Sequence, residues 1–239
     1  ANNPTNPTNK QIRQMQNNIV VKKRVGKIGN ATVGDMPKSS LAFGHTRWAT
    51  HGGVTEKNSH PHLDCTGTIA VVHNGIVENF EELKKELLQS HHRFISETDT
   101  EVIAHLIEEY LNKYPFEEAV KKTFNRCTGL NAIIAVHSAK RVMVAVRNGS
   151  PLVLGFGKNE NFIASDASAL LTHTRKVQFL EDGDMAVVDE THVEITDVVT
   201  GEKRPVKSLT LDWTMKEAEK GPYPFFMLKE IYEQQAVIK

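Results

Sequence analysis

The chain has 239 residues and no net formal charge, because 29 Lys and Arg residues balance 29 Asp and Glu residues. This balance argues against nucleic acid or an anionic membrane surface as a partner. Apolar residues make up 39% of the chain, without a run of membrane-spanning length or an apolar signal segment. Two cysteines without a CxxC pair fit a reducing compartment, so the sequence predicts a cytoplasmic protein of one large domain or two small ones.

The chain opens with an Asn-rich stretch at residues 1–18 that has almost nothing to bury. Its Asn, Gln, Thr and Pro content predicts a mobile tail or a surface insertion. Residues 19–239 contain the packable sequence, and we assign them to one domain.

A buried strand and three helices are predicted in the first half of this domain. Residues 68–73 are β-branched and apolar on both faces, which is typical of a buried strand. The strand ends at Asn74-Gly75, a pair suited to a sharp bend. Apolar stripes at helical spacing predict helices over residues 78–89, 100–113 and 116–126. At the second of these helices, Thr98 and Glu101 have the spacing of a capping box.

Short strands dominate the second half. The pattern predicts strands at residues 131–137, 142–146, 152–156, 161–164, 177–180, 185–188 and 193–195. A short helix is predicted at residues 167–171, and the irregular last forty residues end in a helical segment. Strands, three helices and then antiparallel strands indicate an α+β fold with facing sheets and helices outside.

Three polar clusters interrupt this apolar pattern: GHTRWATHG at residues 44–52, VVHNG at 71–75 and SETDTE at 96–101. Arg47 offers a two-pronged fork for a carboxylate, and Asp99 offers an anion at a helix start. The Asn74 amide beside the Gly75 N–H would make a two-donor oxyanion hole. Together the clusters predict a pocket for a free amino acid and acyl transfer on its side chain.

Each of these residues also has a simpler interpretation when it is taken alone. Arg47 could be a surface arginine, and Asp99 could be only a helix cap. The pair Asn74-Gly75 most often marks nothing more than a turn.

The histidines raise the question of a metal site. His45, His51 and His73 could be ligands, but their spacing matches no HExxH or structural zinc pattern. We therefore predict no metal. The histidines of residues 60–62 and 91–92 are interpreted as loop and surface residues.

The two cysteines are interpreted as structural. Cys65 lies in a short polar loop, where a nucleophile is conceivable, but no adjacent base is evident from the sequence. Cys127 lies at a predicted helix end.

Taken together and in order, GHTRWATHG, SHPH, VVHNG and SETDTE resemble the glutaminase domain of class II glutamine amidotransferases. The resemblance narrows to the hexosamine-forming branch, the isomerising glutamine–fructose-6-phosphate aminotransferases. It continues through RNGSPLVLGFG at residues 147–157, ENFIASD at 160–166, LEDGDMAVV at 180–188 and KEIYEQ at 229–234. It covers the chain from about residue 20 to residue 239.

The resemblance implies a four-layer αββα sandwich of the N-terminal-nucleophile hydrolase type, with L-glutamine as substrate and no cofactor. It implies that Arg47 holds the glutamine α-carboxylate and Asp99 its α-ammonium group. It implies that Thr50 and His51 form the pocket wall and that Asn74 and Gly75 form the oxyanion hole. It also implies that Trp48 lies on a mobile lid that gates the passage of ammonia. It also implies a homo-oligomeric intact enzyme with a sugar-isomerase domain.

The sequence departs from this family in one respect. The family's nucleophile is an N-terminal cysteine that heads a Cys-Gly-Ile strand, followed later by Tyr-Arg-Gly, and neither string occurs here. We therefore expect a fragment without the first strands, the nucleophile or the sugar-isomerase domain, and no hydrolysis of glutamine by this chain alone. The alternatives are a glutamine-sensing or interaction domain without a nucleophile, and another class II amidotransferase, such as a purine-pathway enzyme.

Overall fold

A computed structural model describes residues 19–26, 36–212 and 219–238. The predicted tail at residues 1–18 lies outside the described residues. The helices are α1 (Phe80–Gln89), α2 (Glu101–Leu111), α3 (Phe116–Arg126) and α4 (Phe226–Val237). The strands are β1 (His62–Leu63), β2 (Ile69–Gly75), β3 (Asn131–His137), β4 (Met143–Asn148), β5 (Val153–Phe156), β6 (Asn161–Ala164), β7 (Lys176–Phe179), β8 (Asp184–Val188), β9 (Val193–Asp197), β10 (Lys203–Arg204) and β11 (Leu209–Thr210).

Two antiparallel sheets organise the described residues. The larger has seven strands in the order β1-β2-β3-β4-β8-β9-β10, and the smaller has four in the order β11-β7-β5-β6. β2 pairs with β3 along its whole length, from Ile69 opposite His137 to Gly75 opposite Asn131. This central pair fixes where the Asn74-Gly75 end of β2 lies.

Three apolar clusters separate the layers. Helices α1, α2 and α3 cover one face of the large sheet through Leu83, Ile103 and Phe116. Between the sheets lies a second cluster that includes Ala132 and Leu154. Successive side chains of a strand point to opposite faces, so β3 serves both clusters.

The third cluster covers the outer face of the small sheet. It packs Val153 and Val177 of that sheet against Leu170 in a 3₁₀ turn at Ala167–Leu170. The layers therefore follow the order α, β, β, α, and the predicted α+β sandwich is confirmed. In the described part of the chain, the fourth layer consists of this turn, where the sequence predicted a helix at residues 167–171.

The capping box predicted for α2 is wrong. Its N-cap residue is Thr100, which makes no side-chain cap hydrogen bond. Glu101 instead accepts hydrogen bonds from the backbone N–H groups of Ile95 and Ser96, at 2.8 and 2.7 Å. The segment before α2 folds back so that these two donors reach the Glu101 carboxylate first. None of the helices in the described ranges is long and apolar enough to cross a lipid bilayer.

Candidate active site

The three polar clusters of the sequence meet at one cleft of about 150 Å³. Its walls come from the loop at residues 44–53, the end of β2 and the segment that leads into α2. Most of the predicted site residues line it, namely Arg47, Trp48, Thr50, Asn74, Gly75 and Asp99. His51 lies beside the cleft, with its Nδ1 atom 3.8 Å from Oδ1 of Asp99.

Asp99 is a buried carboxylate at the start of α2, and it is only 3% exposed. Its Oδ2 accepts a hydrogen bond of 2.8 Å from the backbone N–H of Val77, which fixes the side chain. Oδ1 lies too far from His51 for a hydrogen bond. One carboxylate oxygen of Asp99 is therefore held by the backbone, and the carboxylate as a whole lines the cleft.

Asn74 and Gly75 end β2 at the floor of the cleft. Oδ1 of Asn74 lies 2.9 Å from Nε2 of His45, a hydrogen-bond distance. When this imidazole nitrogen donates, the amide N–H groups of Asn74 stay available to another acceptor. Gly75 has a φ of 127°, and a Cβ atom there would lie 2.0 Å from the carbonyl oxygen of Leu130. Only glycine fits this close approach of two backbones.

The imidazoles of His45, His60 and His73 form one side of the cleft. The pKa of His73 is lowered by its burial, although the charge of Asp99 and a hydrogen bond with Asn131 oppose the shift. Both ring nitrogens of His73 have partners, Thr100 Oγ1 at 3.0 Å and Asn131 Oδ1 at 2.8 Å. His73 therefore offers no free nitrogen to a metal ion. Burial also lowers the pKa of His45.

The interpretation of the histidines of residues 60–62 as loop and surface residues is wrong for His62, which begins β1 and is buried. The His60 ring stacks on His45 with ring centroids 4.2 Å apart, and His62 is 1% exposed. Burial and the nearby Lys23 charge lower the pKa of His62 to about 3. Sequence reasoning missed His45 and His60 as cleft residues, although His45 lies within the same motif as Arg47.

Arg47 holds the loop of the cleft together. Its guanidinium donates to the backbone carbonyls of residues 51–53, at 2.9 Å to Gly53 and 3.2 Å to Gly52. The loop is also joined to the segment before α2, because the Asn58 amide donates to Gly53 at 3.0 Å and to Glu97 at 2.8 Å. Trp48, in the same loop, is 89% exposed. The loop thus has a fixed base and a projecting indole.

Neither cysteine lines this cleft. Cys127 follows α3, and burial raises the pKa of its thiol to about 12. Cys65 is exposed, and its sulfur lies 3.6 Å from Nδ1 of both His92 and His105. No base beside Cys65 was evident from the sequence, although two imidazoles lie there, and the surface position predicted for His92 is wrong.

Comparison with known proteins identifies the class. Residues 45–172 match the glutamine amidotransferase domain family, and the chain belongs to it. The match covers both the loop of Arg47 and the three helices that follow β2.

Curated relatives give a narrower likeness. The chain is 46% identical over 228 residues to a glutamine–fructose-6-phosphate aminotransferase (isomerizing) of Pyrococcus horikoshii, covering 92% of this chain and 38% of the relative. Identity to a protein of the same name from Thermus thermophilus is 48% over 226 residues, covering 92% and 37%. For Thermococcus kodakarensis it is 50% over 206 residues, covering 84% and 34%. The chain thus spans little more than a third of these relatives.

Two solved structures share the fold. The glutamine phosphoribosylpyrophosphate amidotransferase of B. subtilis aligns with a TM-score of 0.55 at 24% identity, covering 65% of this chain and 34% of its own. An allosteric regulatory enzyme of purine biosynthesis aligns with a TM-score of 0.56 at 23% identity, covering 66% and 35%. These likenesses support the fold of two facing sheets.

Proposed function

We propose that this chain is the glutaminase part of an isomerising glutamine–fructose-6-phosphate aminotransferase in the cytoplasm. It takes L-glutamine and supplies ammonia for the conversion of fructose 6-phosphate to glucosamine 6-phosphate. The observation that carries the proposal is the single cleft that unites Arg47, Asn74, Gly75 and Asp99. The identity of 46–50% to relatives of that name supports this assignment over the purine-pathway alternative.

Charge complementarity supports glutamine as the ligand. Asp99 presents a fixed carboxylate to the α-ammonium group, at a depth where water screens the pair weakly. Arg47 has five N–H donors, so its bonds to residues 51–53 leave capacity for the α-carboxylate. Thr50 and His51 form the wall beside these two groups.

The proposed reaction is acyl transfer. A cysteine thiolate attacks the side-chain amide carbon of glutamine, and the resulting oxyanion accepts hydrogen bonds from Asn74 and Gly75. The C–N bond breaks as the amide nitrogen takes up the proton that the thiol gave up, and ammonia leaves. Water then hydrolyses the glutamyl thioester to glutamate and restores the thiol. Neither Cys65 nor Cys127 lines the cleft and the sequence has no third cysteine, so the proposed thiol lies outside these 239 residues.

The partner that we propose is the sugar-isomerase domain of the same polypeptide, in a homo-oligomeric enzyme. The relatives are more than twice as long as this chain. Helix α4 exposes a set of large apolar side chains, between 51% and 72% accessible: Phe226, Met227, Ile231 and Tyr232. Exposed apolar side chains that lie together in this way mark a surface for interaction with another domain.

Two measurements test the proposal. The complete polypeptide should release glutamate from glutamine and form glucosamine 6-phosphate when fructose 6-phosphate is present. The 239-residue chain alone should bind L-glutamine in calorimetry without hydrolysing it. Asp99→Asn should weaken this binding by tens of fold, and Asp212→Asn, a change at an exposed aspartate, should preserve it.

The outcomes separate the alternatives. Glutamate release by the pure 239-residue chain would contradict the assignment of the nucleophile. Binding without hydrolysis by the complete polypeptide would instead favour a glutamine-sensing domain.

A further inference from the structure

A second group of side chains with metal-binding atoms lies outside the glutamine cleft. Cys65 follows β1, His92 follows α1, and His105 and Glu108 lie one turn apart on α2. One ligand atom from each lies within 4.8 Å of all the others. We propose that Cys65, His92, His105 and Glu108 form a tetrahedral site for a structural zinc ion.

The spacing of the four atoms fits zinc. Ordinary zinc bond lengths in a tetrahedron place a sulfur and a nitrogen ligand about 3.5 Å apart, and a nitrogen and an oxygen ligand about 3.4 Å apart. Cys65 Sγ lies 3.6 Å from Nδ1 of His92 and 3.6 Å from Nδ1 of His105. Oε2 of Glu108 lies 3.0 and 3.2 Å from the same two nitrogens. The two remaining pairs, Nδ1 of His92 with Nδ1 of His105 and Sγ of Cys65 with the Glu108 carboxylate, lie within 4.8 Å.

The outward-facing nitrogens of both imidazoles strengthen the inference. Zinc-bound histidines commonly direct the other ring N–H at a carboxylate, which fixes the tautomer. Nε2 of His92 lies 3.1 Å from Oε2 of Glu109. Nε2 of His105 is buried without a hydrogen bond, 3.6 Å from Oε1 of Glu101. Each ring thus points Nδ1 at a common centre and Nε2 at an acid.

The donor set and its surroundings select the kind of ion. A thiolate, two imidazoles and one carboxylate suit zinc, whereas magnesium and calcium prefer oxygen ligands alone. His105 is 1% exposed and the His92 side chain 7%, so these ligands are shielded from water. Cys65 lies at the wall of a cleft of about 420 Å³, which gives an ion a path of entry.

The site would join three segments that are distant in the sequence. It connects the turn after β1 and the segment after α1 to the first two turns of α2. Glu101, which faces His105, also accepts hydrogen bonds from the backbone N–H groups of Ile95 and Ser96 before the helix. Zinc would therefore stabilise the segment that carries Asp99 into the glutamine cleft. The inference does not depend on glutamine being the ligand of that cleft.

Cobalt substitution tests the site directly. The 239-residue chain is stripped with a chelator and titrated with Co²⁺, and Zn²⁺ is then added. We expect one equivalent of Co²⁺ to bind, with tetrahedral d–d bands and a thiolate-to-cobalt charge-transfer band that Zn²⁺ abolishes. Zinc should also raise the Tm, because it binds only the folded chain at this site.

Variants distinguish this site from the other histidines. Cys65→Ser, at an exposed position, should keep the fold, lose the charge-transfer band and weaken zinc binding by at least the 10–100-fold that loss of an outer-shell partner causes. His105→Gln should weaken it similarly. Cys127→Ser removes the other thiol and is the control for Cys65→Ser, with thermal unfolding to confirm that both variants fold. His91→Asn is the control for the histidines, since asparagine tolerates the φ of 67° there.

Two results would overturn the proposal. One is a folded chain that shows no charge-transfer band at saturating Co²⁺, which would mean that the four side chains form only a hydrogen-bonded network. The other is a zinc affinity unchanged by Cys65→Ser. If His105→Gln does not fold, the comparison of Cys65→Ser with Cys127→Ser still decides.

Discussion

Nε2 of His45 lies 2.9 Å from Oδ1 of Asn74, and this contact sets the direction of the Asn74 amide. An oxyanion hole needs the nitrogen of that amide to face the substrate. In the tautomer that carries its proton on Nε2, His45 donates to the oxygen and leaves the amide nitrogen for the reaction. We therefore interpret His45 as a positioning residue.

His45→Ala in the complete enzyme should lower the kcat of glutamine hydrolysis about tenfold, because the amide of Asn74 loses its orientation. Asn74→Ala should cost more, about 10²–10³ in kcat, the range for a lost oxyanion donor. Steady-state kinetics separates kcat from KM. His45→Gln, which keeps an N–H donor, should recover part of the rate. A rise in KM alone would assign His45 to substrate binding instead.

Asp99→Asn should raise the KM for glutamine and lower kcat/KM by tens of fold, if the lost charge pair contributes about 2–3 kcal/mol. Asparagine is preferred to alanine here, since its amide oxygen can still accept the 2.8 Å bond from Val77. Thermal unfolding should confirm that the fold is kept. An unchanged KM would remove Asp99 from the glutamine pocket.

Trp48→Ala should preserve glutaminase activity and reduce amination of fructose 6-phosphate. Its indole is 89% exposed, so its loss costs the isolated fold little, while a lid over the cleft would lose its largest side chain. Glutamate and glucosamine 6-phosphate are measured in the same reaction of the complete enzyme. Equal loss of both products would contradict the gating role.

The sequence predicted α3 and β3 well because their apolar patterns are long, and both predictions match the structure at both ends. The prediction for the four-residue edge strand β6 matches as well. β1, β10 and β11 were not predicted. Each has two residues, which is too short to show any period, and only the pairing with a neighbouring strand defines them.

Arg47, Asn74, Gly75 and Asp99 could be predicted because each lies in a polar cluster that interrupts an apolar pattern, whereas His60 lies outside these clusters. The burial of His62 and His92 could not be, because their neighbours come from other segments. The cluster around Cys65 could not be predicted for the same reason. Its ligands lie 27, 40 and 43 residues from Cys65 along the chain, and no motif spacing describes such separations.

Acid should destabilise the fold through His62. Burial lowers the pKa of His62 to about 3 from the ordinary value of 6.5. At pH values between these two pKa values, His62 binds a proton in the unfolded chain but not in the folded chain. The free energy of unfolding is therefore unaffected by His62 above the ordinary pKa and decreases as the pH falls below it. The loss is about 1.4 kcal/mol per pH unit for one such group.

Urea unfolding at several pH values from about 7 to 5 measures this slope. The range begins near the ordinary pKa of histidine, because stability is lost only as the pH falls below that value. His62→Gln should give a shallower slope than the wild type, because it removes one buried group that must stay neutral. His192→Gln, at an exposed histidine, is the control and should leave the slope unchanged. Identical slopes in all three proteins would show that His62 does not stay neutral in the fold.

Gly75→Ala should destabilise the protein because two physical conflicts coincide at this position. The φ of 127° strains any L side chain, and the added Cβ would lie 2.0 Å from the carbonyl oxygen of Leu130. Relief requires β2 and the residue before β3 to separate, at a cost of at least about 2–3 kcal/mol in the free energy of unfolding. Gly44→Ala is the control in the neighbouring motif, where a Cβ meets nothing within 4 Å. Equal stability of the two variants would mean that the strand end can yield, and the oxyanion hole would then lack its rigid floor.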